Sequence, residues 1–279
     1  MSRATRTISV LLLAALMAAL LAACGGGPAQ PAAKPTTKPA GQPAAQPTAA
    51  PAQPVTGGDP SKRVTESLGL LTGSGDKTSV LPSYHIEINM AGPIFDRRDK
   101  AVKTDTTKIK ADVQGANVHV WIEDEDGTTT EGYVIGNDDY VVKDGKVEEG
   151  GLSGVGLTWA MWQLDPVIIL SLAGQGAQAA GGEDTGGRTA EAYTVDMAKG
   201  NPAVLAGIQA FIGHGISNAR GQVWIDQQTG ALLKTVLDYE QDVYDHTSSE
   251  KDAPPVGHGS GHIEISVTQV GKVSVNLPQ

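Results

Sequence analysis

The chain of 279 residues has a single cysteine, Cys24, and only two phenylalanines. One thiol cannot close a disulfide within the chain, and it leaves no cysteine-based metal site or thiol catalyst. A domain built this way is held by its own apolar core, and the length is ample for one. Positive charge is scarce as well. Lys and Arg number 21 against 31 Asp and Glu, a formal net charge of −10. Nucleic-acid binding draws on the opposite sign. No Gly-x-Ser-x-Gly elbow and no Gly-rich phosphate loop occurs. Carboxylates are plentiful, but spacing sets none of them into an acid–base pair. The chain is read as a non-enzyme with no cofactor, no metal site and no nucleic-acid partner.

What is present begins with Arg3 and Arg6, followed by an apolar run from Ile8 to Leu21 that only Ser9 interrupts. The run is too short to span a bilayer, which takes about 20 apolar residues. Its length and flanks are those of a cleavable export signal. Leu21-Ala22-Ala23-Cys24 resembles the lipobox of bacterial lipoproteins, in which the cysteine sulfur is acylated before cleavage. The resemblance implies a signal over 1–23, a mature chain starting at acylated Cys24, and an extracytoplasmic position on the bacterial cell membrane. Which membrane stays open. Residues 24–60 are mostly Gly, Pro, Ala, Gln, Thr and Lys. Such a segment buries too little to offset its ordering entropy and reads as a disordered tether. Drawn out as polyproline II it reaches on the order of 100 Å.

From residue 61 to 279 the pattern is that of one domain. Asp59-Pro60-Ser61 caps a helix, with Pro60 at its first position and Val64, Leu68 and Leu71 at helical spacing. Polar and apolar residues alternate through 84–90, 108–113, 118–122, 222–226 and 262–267, the pattern of antiparallel strands with one wet face. Turn pairs separate them: Asp126-Gly127, Asn137-Asp138, Asp144-Gly145 and Thr229-Gly230. A sheet of about eight or more strands follows. Asp165-Pro166 and Asn201-Pro202 each read as an N-cap and first helical residue. The helix after Pro166 is apolar on nearly every side, which marks it as buried or as covering something apolar. Residues 174–187, rich in Gly and Ala, read as a mobile loop.

A lipobox, a Pro-rich tether, a long antiparallel sheet, a Trp-bearing helical insert and late paired strands together resemble the LppX/LprG-type lipoproteins of the LolA-like superfamily. The best local match is Gly221-Gln222-Val223-Trp224-Ile225-Asp226-Gln227-Gln228-Thr229-Gly230-Ala231-Leu232-Leu233-Lys234, which that family folds as strand, tight turn and returning strand. The resemblance implies an α+β fold, a large curved antiparallel sheet or half-barrel covered by a few helices. It implies an apolar cavity for acyl chains and envelope lipid transfer, with no catalytic residues. An envelope protein is the other partner it suggests.

Two local clusters read as structural. His258-Gly-Ser-Gly-His262 has a spacing that can hold a metal, but a flexible Gly-Ser-Gly gives no defined geometry, so it reads as a solvated loop. Glu123-Asp124-Glu125-Asp126-Gly127 lacks the alternation of a calcium loop and reads as a charged hairpin tip. The expected ligand contacts are Trp159, Trp162, Leu164, Ile168, Ile169 and Leu172 around the central helix, with Val204, Leu205 and Ile208 from the next. The contrasting reading is a structural or protein-interaction lipoprotein with a filled core. The anchor has a direct test: cells fed labelled palmitate incorporate it into the wild-type chain, whereas Cys24→Ala abolishes labelling and releases the chain from the membrane fraction.

Overall fold

The computed structural model describes residues 58–73, 79–150, 155–162, 164–212, 215–245 and 254–277. Cys24, the signal and the tether as far as residue 57 lie outside the described residues, as does His246. Helix α1 (Pro60–Thr72) opens the described part. Asp59 is its N-cap, with a side-chain oxygen accepting from the Ser61 amide at 3.0 Å, and Pro60 fills the first position where a missing N–H costs nothing. Val64, Leu68 and Leu71 are buried along one face of it, as their spacing predicts.

A first run of strands follows: β1 (Ser83–Asp96), β2 (Ala101–Gln114), β3 (Asn117–Glu123), β4 (Thr129–Ile135), β5 (Asp138–Lys143) and β6 (Lys146–Glu149). Helices α2 (Val155–Met161) and α3 (Leu164–Ala173) then interrupt the sheet. The second run is β7 (Gln178–Thr185), β8 (Arg188–Asp196), helix α4 (Pro202–Ile212), β9 (Gly215–Asp226), β10 (Leu232–Val243) and β11 (Gly257–Thr268). All eleven strands form one antiparallel sheet in the order β6-β5-β4-β3-β2-β1-β11-β10-β9-β8-β7. The architecture is the expected α+β one, a large curved antiparallel sheet with a few helices.

Alternation sorts each strand into two faces. Ile88 stands opposite Ile109 of β2 and Ile265 of β11, and all three are buried. Between them in sequence, His85, Glu87 and Lys110 point to the other face, where His85 Nδ1 lies 2.7 Å from Asp112 Oδ1. The helices cover the apolar face. α1 and α3 pack over β9 and its neighbours, and α2 packs on β4 and β5. One core cluster among the described residues runs from Val64 of α1 to Val267 of β11, and all the residues it joins lie within 58–279.

Three segments differ from the sequence reading. Residues 178–185 form edge strand β7 instead of a loop; nearly every residue there is exposed on both faces, so no alternation marks it. His258 to His262 lies inside β11, because backbone pairing with β10 extends the strand back to Gly257. Asp165 sits within α3, which starts one residue earlier at Leu164. Asn201, by contrast, caps α4 as expected, its Oδ1 accepting from the Ala203 amide at 3.0 Å.

The β9–β10 turn is built around Asp226, 1 % exposed. Arg188 of β8 grips its carboxylate through Nε at 3.1 Å and a terminal guanidinium nitrogen at 2.7 Å, and the Thr229 amide donates to it at 3.0 Å. Burial works to raise the Asp226 pKa, but the bonds from Arg188 and Thr229 outweigh it and hold the group below the ordinary carboxylate value. A carboxylate depressed in the folded state stabilises fully above its unfolded value, near 3.9, and loses that contribution as pH falls toward the folded one. Asp226→Asn is expected to cost about 3 kcal/mol in urea unfolding at pH 7 by leaving Arg188 without its charge partner. The difference from wild type should shrink as the pH is taken below the ordinary carboxylate range.

Candidate functional site

The pairing register brings β1, β11, β10 and β9 side by side beneath α3. At this place the inner face does not close. A cavity of about 200 Å³ remains between Met90, Ile263 and Ile216 on the sheet and Ile168 and Ile169 on α3. Its rim is polar, with Asp105, Thr107 and Gln241 from the sheet and Asp165 from α3. At about 30 Å³ per molecule the space equals roughly seven waters. Pockets for drug-sized ligands begin near about 300 Å³. As it stands the cavity seats one short apolar segment.

Tyr239 shapes one wall. It faces inward on β10, opposite Gly261 of β11, with Gly92 of β1 beyond. A Cβ at Gly261 would overlap the Tyr239 ring, and one at Gly92 would stand 2.7 Å from its hydroxyl. Two glycines thus let a large ring lie across β11 with its hydroxyl over β1. The residue is 9 % exposed. Burial, and then the negative charge of Asp165, push the phenol up to about 12, so at neutral pH it remains a proton donor.

The residues expected as ligand contacts divide. Ile168 and Ile169 line the cavity. Trp159 and Trp162 pack on each other, ring centroids 5.2 Å apart at 53°, and do not line it. Trp162 is 5 % exposed and belongs to the core, with its Nε1 buried without a partner. Leu172 and Leu205 are core residues; Leu164 and Ile208 are half-buried. Val204 is 42 % exposed and does not line the cavity. Met90, Ile216, Tyr239 and Ile263 were missed. Met90 and Ile263 belong to the alternating segments, so their inward direction was legible. That they meet one another depends on β1 pairing with β11, for which the sequence carries no local signal.

The outer face carries the histidines. His258 Nδ1 lies 3.0 Å from Asp242 Oδ1, and His262 Nδ1 lies 2.7 Å from Asp238 Oδ1. Each imidazole takes its own cross-strand carboxylate, so the pair does not converge. Among the described residues no group of three or more His, Cys, Asp or Glu is placed to hold a metal. The acidic segment 124–128 is the β3–β4 turn, where the Thr128 amide donates to Asp126 Oδ1 at 2.8 Å. Among the described residues no helix is long and apolar enough to cross a membrane.

No protein-family model matches the chain, and no curated protein matches its sequence. Among solved structures it is similar to the lipoprotein LppX of Mycobacterium tuberculosis, at 17% identity over 78% of this chain and 97% of that one, with a TM-score of 0.43. It is similar to LprF from Mycobacterium bovis at 16% identity, over 79% and 93% of the two chains, TM-score 0.35. A LolA superfamily protein from Nitrosomonas europaea aligns at 10% identity over 78% and 92%, TM-score 0.23. These neighbours are of the LppX and LolA kind that the sequence resembles.

The Tyr239 wall has its own test. Gly261→Ala is expected to destabilise the domain by about 1–3 kcal/mol, the range for overpacking a filled site. In a Tyr239→Leu background the same substitution should cost much less. Urea unfolding of the four proteins of this cycle measures the coupling.

Proposed function

We propose that this chain is a membrane-anchored, extracytoplasmic lipoprotein that holds a lipid or other apolar ligand between its sheet and α3. The observation that carries the reading is the cavity, with an apolar floor of Met90, Ile168, Ile169, Ile216 and Ile263 and the Tyr239 side chain in its wall. An apolar body with one polar handle matches a pocket of this composition. The anchor at Cys24 keeps the domain beside the membrane that stores such ligands, and the tether lets it reach away. Envelope lipid transfer is the role that joins these parts.

The cavity's volume limits what enters. A full acyl chain requires more room than about 200 Å³, and the element that can yield is α4, since Val204 and its neighbours contribute little buried surface. Ile208 and Leu205 then become contacts of a longer occupant, with Ile168 and Ile169 as the fixed ones.

A second reading keeps the core closed and uses the outer sheet face to meet an envelope protein. It is favoured by one observation there: His119 stacks on Tyr133 at 3.9 Å between ring centroids and meets Trp121 at 3.8 Å, an aromatic cluster on a face no helix covers. Native mass spectrometry of residues 58–279 separates the two. Under the first reading an apolar ligand co-purifies, and Ile168→Trp, which fills the cavity from a half-buried position, removes it. A clean apo mass for wild type after expression in the envelope overturns that reading in favour of the second.

A further inference from the structure

Among the described residues that line the cavity, the charged ones, Asp105 and Asp165, are both acidic. Asp105 points inward from β2, opposite Gly92, and is half-buried at the mouth. No ion-pair partner for it is found among the described residues. Asp165 stands across from it on α3, close enough to Tyr239 for its charge to act on the phenol. The β3–β4 turn adds more: Asp124, Glu125 and Asp126 share a second hollow with Asp105. Among the described residues, no Lys or Arg lines either hollow. The nearest inward-facing base along β2, Lys103, is taken up by Asp96 at 2.6 Å and by Asp99.

From this we infer that the occupant is a cationic amphiphile: a single apolar chain lies on Met90, Ile168 and Ile263, and its ammonium end sits at the mouth between Asp105 and Asp165, within reach of the Tyr239 hydroxyl. The inference rests on the cavity being a ligand site and adds which ligands it accepts. Three features converge on it. An inward carboxylate without an ion pair gains most from a positive charge brought beside it, because the low-dielectric wall strengthens the attraction. Tyr239 lines the cavity, and its hydroxyl oxygen has a lone pair that can accept from an N–H donor. The volume seats a short segment of one chain and leaves no room beside it for a second. The same carboxylates repel a phosphate or fatty-acid headgroup, so selection works by exclusion as well as by attraction. A bare divalent cation is a poorer match, since among the described residues no group of three or more His, Cys, Asp or Glu is placed to hold one.

The test uses three probes with one chain length, each below its micelle concentration: dodecylamine, an uncharged dodecyl maltoside and laurate. Binding to residues 58–279 is followed by isothermal titration at pH 7. Dodecylamine is expected to bind about tenfold tighter than the maltoside, with laurate weaker still, and the difference should narrow as salt rises. Asp105→Asn combined with Asp165→Asn should erase the preference while leaving maltoside binding within about twofold. Tyr239→Phe should weaken dodecylamine alone. Equal binding of amine and laurate, or a preference that survives the double substitution, overturns the charge selection and leaves the cavity reading standing. Failure of all three probes to bind the folded domain overturns both.

Discussion

The pairing of β1 with β11 is the constraint on which the rest depends. Every other strand pair joins neighbours in sequence, β1 to β2 and onward to β6, and β7 to β8 and onward to β11. Each run by itself is a meander of antiparallel strands with an apolar face to cover. The seven residue pairs from His85–Thr268 to Ala91–His262 fuse the runs into one sheet. Ile86 against Val267 and Ile88 against Ile265 make that seam apolar on the helix-covered side. The cavity straddles the seam. Met90 and Gly92 come from one run, and Ile216, Tyr239 and Ile263 from the other. Neither half contains a site.

The inner face shows a tension between filling and emptiness. Over most of it, side chains interdigitate into one cluster, and packing of that kind leaves few voids. At Tyr239 the pattern changes: glycines at positions 92 and 261 make room for one ring to lie flat, and the space its neighbours would have filled remains open above it. The Ala- and Gly-rich stretch after α3 plays no part in this. It forms the outer edge strand, and its small side chains enlarge nothing near α3. The carboxylates sit where the apolar face gives way to solvent, so the walls change character from floor to mouth within one short channel.

Much of the fold was legible in the chain because the strands with one wet face carry a period of two and the helices carry their caps. Asp59-Pro60 and Asn201-Pro202 marked helix starts correctly for that reason. β7 was illegible because both its faces are exposed, and the early part of β11 because Gly-x-Gly alternation leaves no apolar residues to count. The site was legible only in part. Ile168 and Ile169 stood out on an apolar helix. Trp159 and Trp162 drew notice by size, yet large rings three residues apart first satisfy one another. Asp105 and Tyr239 gave no sign, since each looks ordinary until distant strands place glycines and carboxylates around it.

β11 lies beside the central strand, β1, but is the last strand in chain order. A chain that emerges from its N-terminus therefore builds both flanks before the strand that joins them exists. At about 5–20 residues per second, the roughly 160 residues between the end of β1 and the start of β11 take about ten to thirty seconds to appear. Throughout that interval β1 presents a bare, apolar edge, the kind that pairs with whatever strand comes first. For this molecule the hazardous moment is one of timing: the second partner of its central strand arrives last, and a holding factor that guards unfinished sheets has a defined window in which to act.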